Sequence, residues 1–329
     1  MQTRHLGAHG PVVSALGLGC MGMSDFYRSR AGRDDAESLA TITEALDSGI
    51  TLIDTGDFYG MGHNEALVAR AIAGRRESVF LSVKFGALRS PSGAFLGFDG
   101  RPAAVKNFAA YSLQRLGVDV IDLYQPARVD PAVPYEETIG TVADLIREGK
   151  VRHLGISEVS AEQMRRAHAV HPVTALQIEY SLATRLIEGE ILPAARELGV
   201  GIVAYGALSR GLLSGTFDGT LVPGDFRAHS PRFTGQNLAH NLERVAALQE
   251  IAARKGCTAS QLAIAWVLAR GEDIVPIVGT TKRTRLRENL QALSITLDAS
   301  DLAELDQAFA PGAIAGERYP EQQMQLVAR

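Results

Sequence analysis

Apolar residues recur along the 329-residue chain in two rhythms. Short runs that are apolar at nearly every position fall at 16–19, 51–54, 79–83, 119–124, 151–156, 174–179, 200–205 and 274–277. Such runs suit strands of a parallel sheet covered on both faces. Between them lie longer stretches with apolar residues on one helical face, near 34–48, 63–73, 102–116, 136–148, 160–168, 188–198, 238–254 and 259–269. Gly49, Gly117, Gly149 and Gly199 each stand just past a helix and before the next strand, where a left-handed C-cap residue is wanted. Residues 1–15 read as a hairpin turning between Gly7 and Gly10, with Val12 and Val13 on the returning arm. Past residue 281 come helices at 282–292 and 300–308 and an irregular tail to Arg329. Strands alternating with helices in this way predict a (β/α)₈ TIM barrel, an N-terminal hairpin and C-terminal extra helices included, as one domain over 1–329. A doubly wound sheet is the competitor, and Gly17-x-Gly19-x-x-Gly22 matches its phosphate loop in letters. That loop must open a helix, whereas Phe26, Tyr27, Arg28 and Gly32 read as loop.

Composition changes this picture little. Hydrophobic content of 46% with 21% charged residues is ordinary for a globular chain. A net charge of −4 offers no basic footprint for nucleic acid. Cys20 and Cys257 are too far apart in sequence for a close-spaced metal or redox motif. No apolar run has the length of a signal-peptide core or a membrane span. A cytoplasmic protein with no nucleic-acid or membrane partner is expected.

The chemistry gathers at strand ends. Leu52 and Ile53 run into Asp54, Leu81 to Val83 run into Lys84, and Tyr59 lies one short loop past the first of these strands. In a parallel barrel, strand C-termini and the following loops converge on one mouth, so an Asp, a Lys and a Tyr distant in sequence are expected in one pocket. A tyrosine hydroxyl ordinarily titrates at about 10; a neighbouring ammonium favours the phenolate and suits the pair to proton transfer. A carboxylate beside the lysine keeps it charged when buried. The plainer alternatives are a helix-capping Asp and a solvated Lys.

Asp54, then Tyr59-Gly60 one short loop on, then the strand-end Lys84 together resemble the aldo-keto reductases, and later motifs extend the resemblance over nearly the whole chain. It implies that Tyr59 is the general acid, Lys84 lowers its pKa, and Asp54 holds Lys84. In GISEVS (155–160) and LQIEYS (176–181), it places Ser157, Glu158 (more often Asn) and Gln177 on the nicotinamide carboxamide. Tyr205 in VAYGALSRG would stack on the nicotinamide, with Gly22, Gly206, Leu208, Ser209, Arg210 and Gly211 along the cofactor and its pyrophosphate. Lys282, Arg283, Arg285 and Arg287 crowd the start of a predicted helix, where cations oppose the helix dipole and call for an anionic partner. The resemblance assigns Gly279, Thr280, Thr281, Lys282, Arg285, Glu288 and Asn289 to the adenine and 2′-phosphate of NADPH, preferred over NADH. It also implies a substrate pocket built from the loops 85–101 and 206–237 and the tail. Phe26, Tyr27, Phe85, Phe95, Phe98, Phe226 and Phe233 fall in the candidate lining loops, so a small-molecule carbonyl substrate with an apolar or aromatic body is expected.

One position departs from the pattern. The family's catalytic His falls on Ala127 in LYQPARVDP (123–131), an alignment anchored by Arg128, Val129, Asp130 and Pro131. That His donates a hydrogen bond to the substrate carbonyl, and loss of one preorganised donor typically costs roughly 10²–10³ in turnover. Water, Gln125 or the substrate itself is left to fill the gap. The segments ARVDPAVPYEET and GISEVSAEQMRRAHAV are similar to the pyridoxal reductases, whose substrate carries a phenolic hydroxyl beside its aldehyde. The alternative reading is a cofactor-binding regulatory or sensor protein, as in the potassium-channel β-subunits, which also lack the His. The intact Asp54, Tyr59 and Lys84 count against it.

Overall fold

The computed structural model describes residues 1–24, 26–27 and 32–328; Arg28, read above as loop, lies outside them. Its elements follow the predicted alternation. A hairpin of β1 (Thr3–His5) and β2 (Val12–Ser14) precedes β3 (Gly17–Gly19), α1 (Asp35–Asp47), β4 (Leu52–Gly56), α2 (His63–Ile72) and β5 (Phe80–Phe85). Then come β6 (Ala87–Arg89), β7 (Phe95–Phe98), α3 (Pro102–Leu116), β8 (Ile121–Pro126), α4 (Tyr135–Arg147), β9 (Val151–Ser157) and α5 (Ala161–Val170). The chain continues through β10 (Val173–Glu179), α6 (Ile191–Leu198), β11 (Gly201–Tyr205), α7 (Gly235–Arg254), α8 (Ala259–Leu268) and β12 (Ile274–Gly279). It ends in α9 (Arg283–Leu290), α10 (Ala299–Ala308) and the short α11 (Glu321–Met324). Strands β3, β4, β5, β8, β9, β10, β11 and β12 close in that order into a parallel barrel. The (β/α)₈ expectation holds. After β3 the chain forms a 3-10 turn at Met21–Met23 rather than an α-helix, so the glycine pattern at 17–22 is no phosphate loop of the doubly wound kind.

Side chains alternate across each strand, and this alternation sorts the barrel interior into layers. Leu52, Phe80, Leu123, Ala175, Val203 and Val275 form an apolar floor, sealed from below by Leu6 and Val13 of the hairpin region. Two residues further along, the same inward positions carry Asp54, Ser82, Gln125, Gln177 and Tyr205. Leu16, Ile53, Leu81, Tyr124, Leu176 and Ile202 face outward into the main core shared with the helices. The hairpin presses close enough that a Cβ on Gly7, whose φ is +86°, would lie 2.6 Å from the Gly199 carbonyl oxygen.

Two details differ from the sequence reading. Strands β4 and β5 run on past Asp54 and Lys84, the polar residues on which their apolar runs end. Asp54 pairs in register with Ser82, and Lys84 with both Gly56 and Gln125, because an inward polar side chain leaves the backbone ladder intact. Residues 85–101 are not an open loop: β6 and β7 pair antiparallel, Ala87 opposite Phe98.

Candidate active site

Asp54, Lys84 and Gln177 meet where β4, β5 and β10 deliver their inward side chains to the same level of the barrel. The Lys84 ammonium donates to Asp54 Oδ1 and to Gln177 Oε1 at 2.9 Å. Gln177 Nε2 donates back to Asp54 Oδ2 at 2.7 Å, and Ser82 Oγ donates to the same oxygen at 2.9 Å. Both ionic side chains are nearly sealed from solvent, at 6% and 3% exposure. Asp54 therefore lies within the ladder as the anchor of Lys84, not as a helix cap. Lys84 is likewise no solvated strand end.

Tyr59 is 4% exposed, and Lys84 Nζ stands 5.2 Å from the centre of its ring. Edge-on contacts with Phe58 at 4.7 Å and Phe26 at 5.9 Å hold the phenol. Its hydroxyl is pushed well above the ordinary tyrosine range, first by burial and then by the Asp54 charge, while Arg128 pulls it down. The expected lowering by Lys84 is not what this state shows. Burial lowers the lysine's own pKa against the pull of Asp54, and the ammonium's hydrogen bonds go to Asp54 and Gln177.

Ala127 is 3% exposed and its N–H is bound to the Phe85 carbonyl at 2.9 Å. Gln125 is no substitute donor. It is fully buried below the mouth, and its amide donates to Ser82 Oγ at 3.0 Å.

The cofactor candidates form an arc across the mouth. Ser157 lies at the end of β9, in register with Gln177. Glu158 follows it in a left-handed conformation, φ 53°. Its carboxylate takes both arms of Arg318 at 2.9 and 2.7 Å, the Tyr205 hydroxyl at 2.8 Å and the Glu179 N–H at 3.0 Å. Burial works to raise the Glu158 pKa, but Arg318 and Arg128 outweigh it and hold the group at about 2. Tyr205 is also 3.1 Å from the Tyr319 hydroxyl, so its ring is fixed at the rim. Beyond it, Gly206, Ser209, Arg210 and Gly211 all have positive φ, and Leu208 precedes a 3-10 turn over Ser209–Ser214. The non-glycine residues of positive φ are Phe26, Met61, Glu158, Ser209 and Arg210 among the described residues, and all follow barrel strands on the mouth side. Left-handed non-glycine backbone costs of order 1–3 kcal/mol per residue and clusters at functional sites.

At the start of α9 the cations divide. Arg283 pairs with Glu37 at 3.0 Å and Arg287 with Glu44, both carboxylates on α1. The Glu37 carboxylate also accepts the Arg283 N–H at 3.1 Å, so part of the anionic partnership expected from a phosphate is supplied by the protein. Lys282 is only loosely paired with Asp34, at 3.7 Å, and Arg285 is exposed with no ion pair among the described residues. A shallow cleft beside Lys282 is lined by Gly22 and Thr281, together with Ser24, Arg33 and Asp34. Gly279 ends β12; Thr280 Oγ1 accepts the Lys282 N–H at 3.1 Å. Glu288 accepts from Thr258 at 2.8 Å, and Asn289 is buried at 3%.

The aromatic lining is narrower than expected. Phe26, Phe226 and Tyr319 form a chain of ring contacts reaching Tyr59, at 6.1 and 6.2 Å between successive centroids. Tyr27 lies under Arg227. Phe85 stacks on Tyr124 at 4.3 Å on the outward face, Phe95 and Phe98 pack on each other, and Phe233 packs on Phe217. The tail does join the site: Asn241 of α7 bonds the Ala315 backbone in both directions, and Glu317 accepts the Arg232 N–H. The sequence carries no signal for Arg318 and Tyr319, because the irregular tail has no periodicity to say which side chains turn inward. No helix is long and apolar enough to cross a membrane, and no cluster suited to a metal ion occurs among the described residues.

The model of the aldo/keto reductase family matches residues 15–310. A soybean (Glycine max) protein described as probable aldo-keto reductase 1 is 44% identical over 322 residues, covering 97% of this chain and 92% of that one. Among solved structures, the glycerol dehydrogenase AKR11B4 from Gluconobacter oxydans superposes with a TM-score of 0.86 at 30% identity, covering 96% of this chain and 97% of the other. The holo form of the aldo-keto reductase AKR11C1 from Bacillus halodurans gives 0.77 at 27% identity, with 98% and 99% covered. With its closed barrel and its buried Asp54–Lys84 pair beneath Tyr59, the chain belongs to the aldo-keto reductase family.

Proposed function

We propose that this chain is an NADPH-dependent carbonyl reductase, working as one barrel domain, that converts an aldehyde or ketone to an alcohol by direct hydride transfer. The observation that carries the reading is a buried, charge-anchored lysine directly beneath a buried tyrosine at the barrel mouth. Bound NADPH supplies the hydride. Tyr59, protonated throughout the neutral range because burial raises its pKa, gives its proton to the substrate oxygen. Lys84 fixes the electrostatics around the phenol, and Asp54 and Gln177 fix Lys84. Phe26, Phe226 and Tyr319 exclude water from the acid.

The residues fit the larger cofactor. Lys282 and Arg285 are the cations at the head of α9 that the α1 glutamates leave unclaimed. Gly22 lines the neighbouring cleft, and a Cβ there would meet the Tyr27 ring at 3.3 Å. Arg285→Ala should weaken NADPH binding by roughly tenfold to a hundredfold, the worth of one charge-assisted hydrogen bond, and leave NADH binding alone. Fluorescence titration with both nucleotides checks this; equal losses on the two would remove Arg285 from the phosphate.

For the substrate, Ala127 favours a carbonyl that brings its own hydrogen bond, such as pyridoxal with its adjacent phenolic hydroxyl. Ala127→His should raise turnover on plain aromatic aldehydes more than on pyridoxal. Equal gains on both would end the substrate-assisted explanation. The direct test is NADPH oxidation by the purified protein with pyridoxal and 4-nitrobenzaldehyde in parallel. Turnover favouring pyridoxal supports the reading. Turnover with 4-nitrobenzaldehyde alone keeps the reductase and discards the vitamin, and tight NADPH binding without turnover of either points to the sensor.

A further inference from the structure

We propose that Arg128, one residue past the position of the family's histidine, is the side chain that donates to the substrate carbonyl oxygen in this protein. The proposal rests on the carbonyl-reductase reading above and assigns a residue that its scheme lacks.

Four guanidiniums, of Arg128, Arg210, Arg232 and Arg318, stand around the mouth near two carboxylates, Glu158 and Glu179. The carboxylates are spoken for: Arg318 reaches both, at 2.7 and 3.6 Å, and Arg232 reaches Glu179 at 3.5 Å. Arg210 lies over the Tyr319 and Phe226 rings, at 4.8 and 5.1 Å. Arg128 is half-buried, and among the described residues it has no carboxylate in ion-pair range. One nitrogen is held by the Ala127 carbonyl at 2.5 Å, and another makes only a long contact, 3.4 Å, with the Tyr319 hydroxyl. A guanidinium carries five N–H donors, so donors remain after both contacts.

Its place is set by the backbone. Ala127 is bonded to Phe85, the residue after Lys84, so Arg128 leaves β8 beside the strand that carries the lysine. Through Tyr319 it stands at the end of the run of ring contacts that joins Tyr59, Phe26, Phe226 and Tyr319. Its charge is felt at Tyr59, where it is the foremost influence lowering the phenol's pKa. The other donors at this level are committed. Lys84 serves Asp54 and Gln177, Gln125 serves Ser82, and Ala127 has no donor in its side chain. In the reaction, the carbonyl carbon accepts the hydride and its two electrons, and the C–O π bond opens onto oxygen. The oxygen takes the Tyr59 proton, which solvent later restores. Arg128 keeps its protons throughout and stabilises the charge that builds on oxygen before the proton arrives.

The test is steady-state reduction of 4-nitrobenzaldehyde and pyridoxal by wild type, Arg128→Ala and Arg128→Lys, with NADPH affinity measured separately by fluorescence. Arg128→Ala should lose about 10²–10³ in kcat on 4-nitrobenzaldehyde, and less on pyridoxal, whose own hydroxyl donates as well, at unchanged NADPH affinity, and added guanidinium or methylguanidinium should restore part of it. Arg128→Lys should fall between the two, since it keeps the charge without the planar fork, and it serves if the alanine variant does not fold. A variant that turns over at the wild-type rate overturns the proposal. So does a loss confined to cofactor affinity, or one that guanidinium leaves untouched in a protein that melts like wild type. If wild type itself reduces neither aldehyde, it is the carbonyl-reductase reading that fails.

Discussion

Tyr59→Phe should reduce aldehyde turnover by roughly 10²–10⁴, the usual contribution of a positioned general acid, with NADPH affinity unchanged. The substitution is nearly silent in structure. Tyr59 is held by ring contacts with Phe26 and Phe58, and a phenylalanine makes the same contacts. The only loss is the proton. Fluorescence titration reports the cofactor and a stopped assay reports the alcohol. A Phe variant that retains most of its turnover would put the acid elsewhere.

The second large effect concerns stability as well as rate. Asp54 and Lys84 neutralise each other inside the barrel at 3% and 6% exposure. Removing one partner of a buried pair leaves an uncompensated charge and typically costs about 3–5 kcal/mol. Lys84→Met should therefore shift the denaturant midpoint far down as well as abolish turnover. Adding Asp54→Asn to it removes the stranded carboxylate while keeping an acceptor for Ser82 and Gln177. The double variant should regain most of the stability and none of the activity. If Lys84→Met unfolds with the wild-type midpoint, the pair is not the buried ionic unit described here.

Much of this was legible in the sequence, for a physical reason. Strands covered on both faces need unbroken apolar runs, so the alternation of such runs with helical faces already implied the barrel. The polar residues ending those runs, Asp54, Lys84 and Gln177, are the ones that meet inside it. Their strands nonetheless run on past them, because direction of side chain, not polarity, decides where a ladder stops. Partner choice was harder to see. The α9 cations called for an anion, but Glu37 and Glu44 answer for two of them from a helix about 240 residues away in the sequence. Phe85, Phe95, Phe98 and Phe233 looked like pocket lining and pack elsewhere, since an aromatic in a loop carries no mark of the side it faces. Arg128 served only to align the segment; its lack of a counter-ion is visible only in three dimensions.

The most direct measurement is the fate of the hydride. The purified protein would be given NADPH carrying deuterium at the transferable position of the nicotinamide, with pyridoxal or 4-nitrobenzaldehyde, and the alcohol analysed by mass spectrometry. One deuterium is expected on the former carbonyl carbon for each NADPH consumed, and formation of that product roughly 10²–10⁴ slower with Tyr59→Phe. NADPH consumed without a labelled alcohol, or labelled alcohol formed equally well without Tyr59, would contradict the hydride-transfer reading.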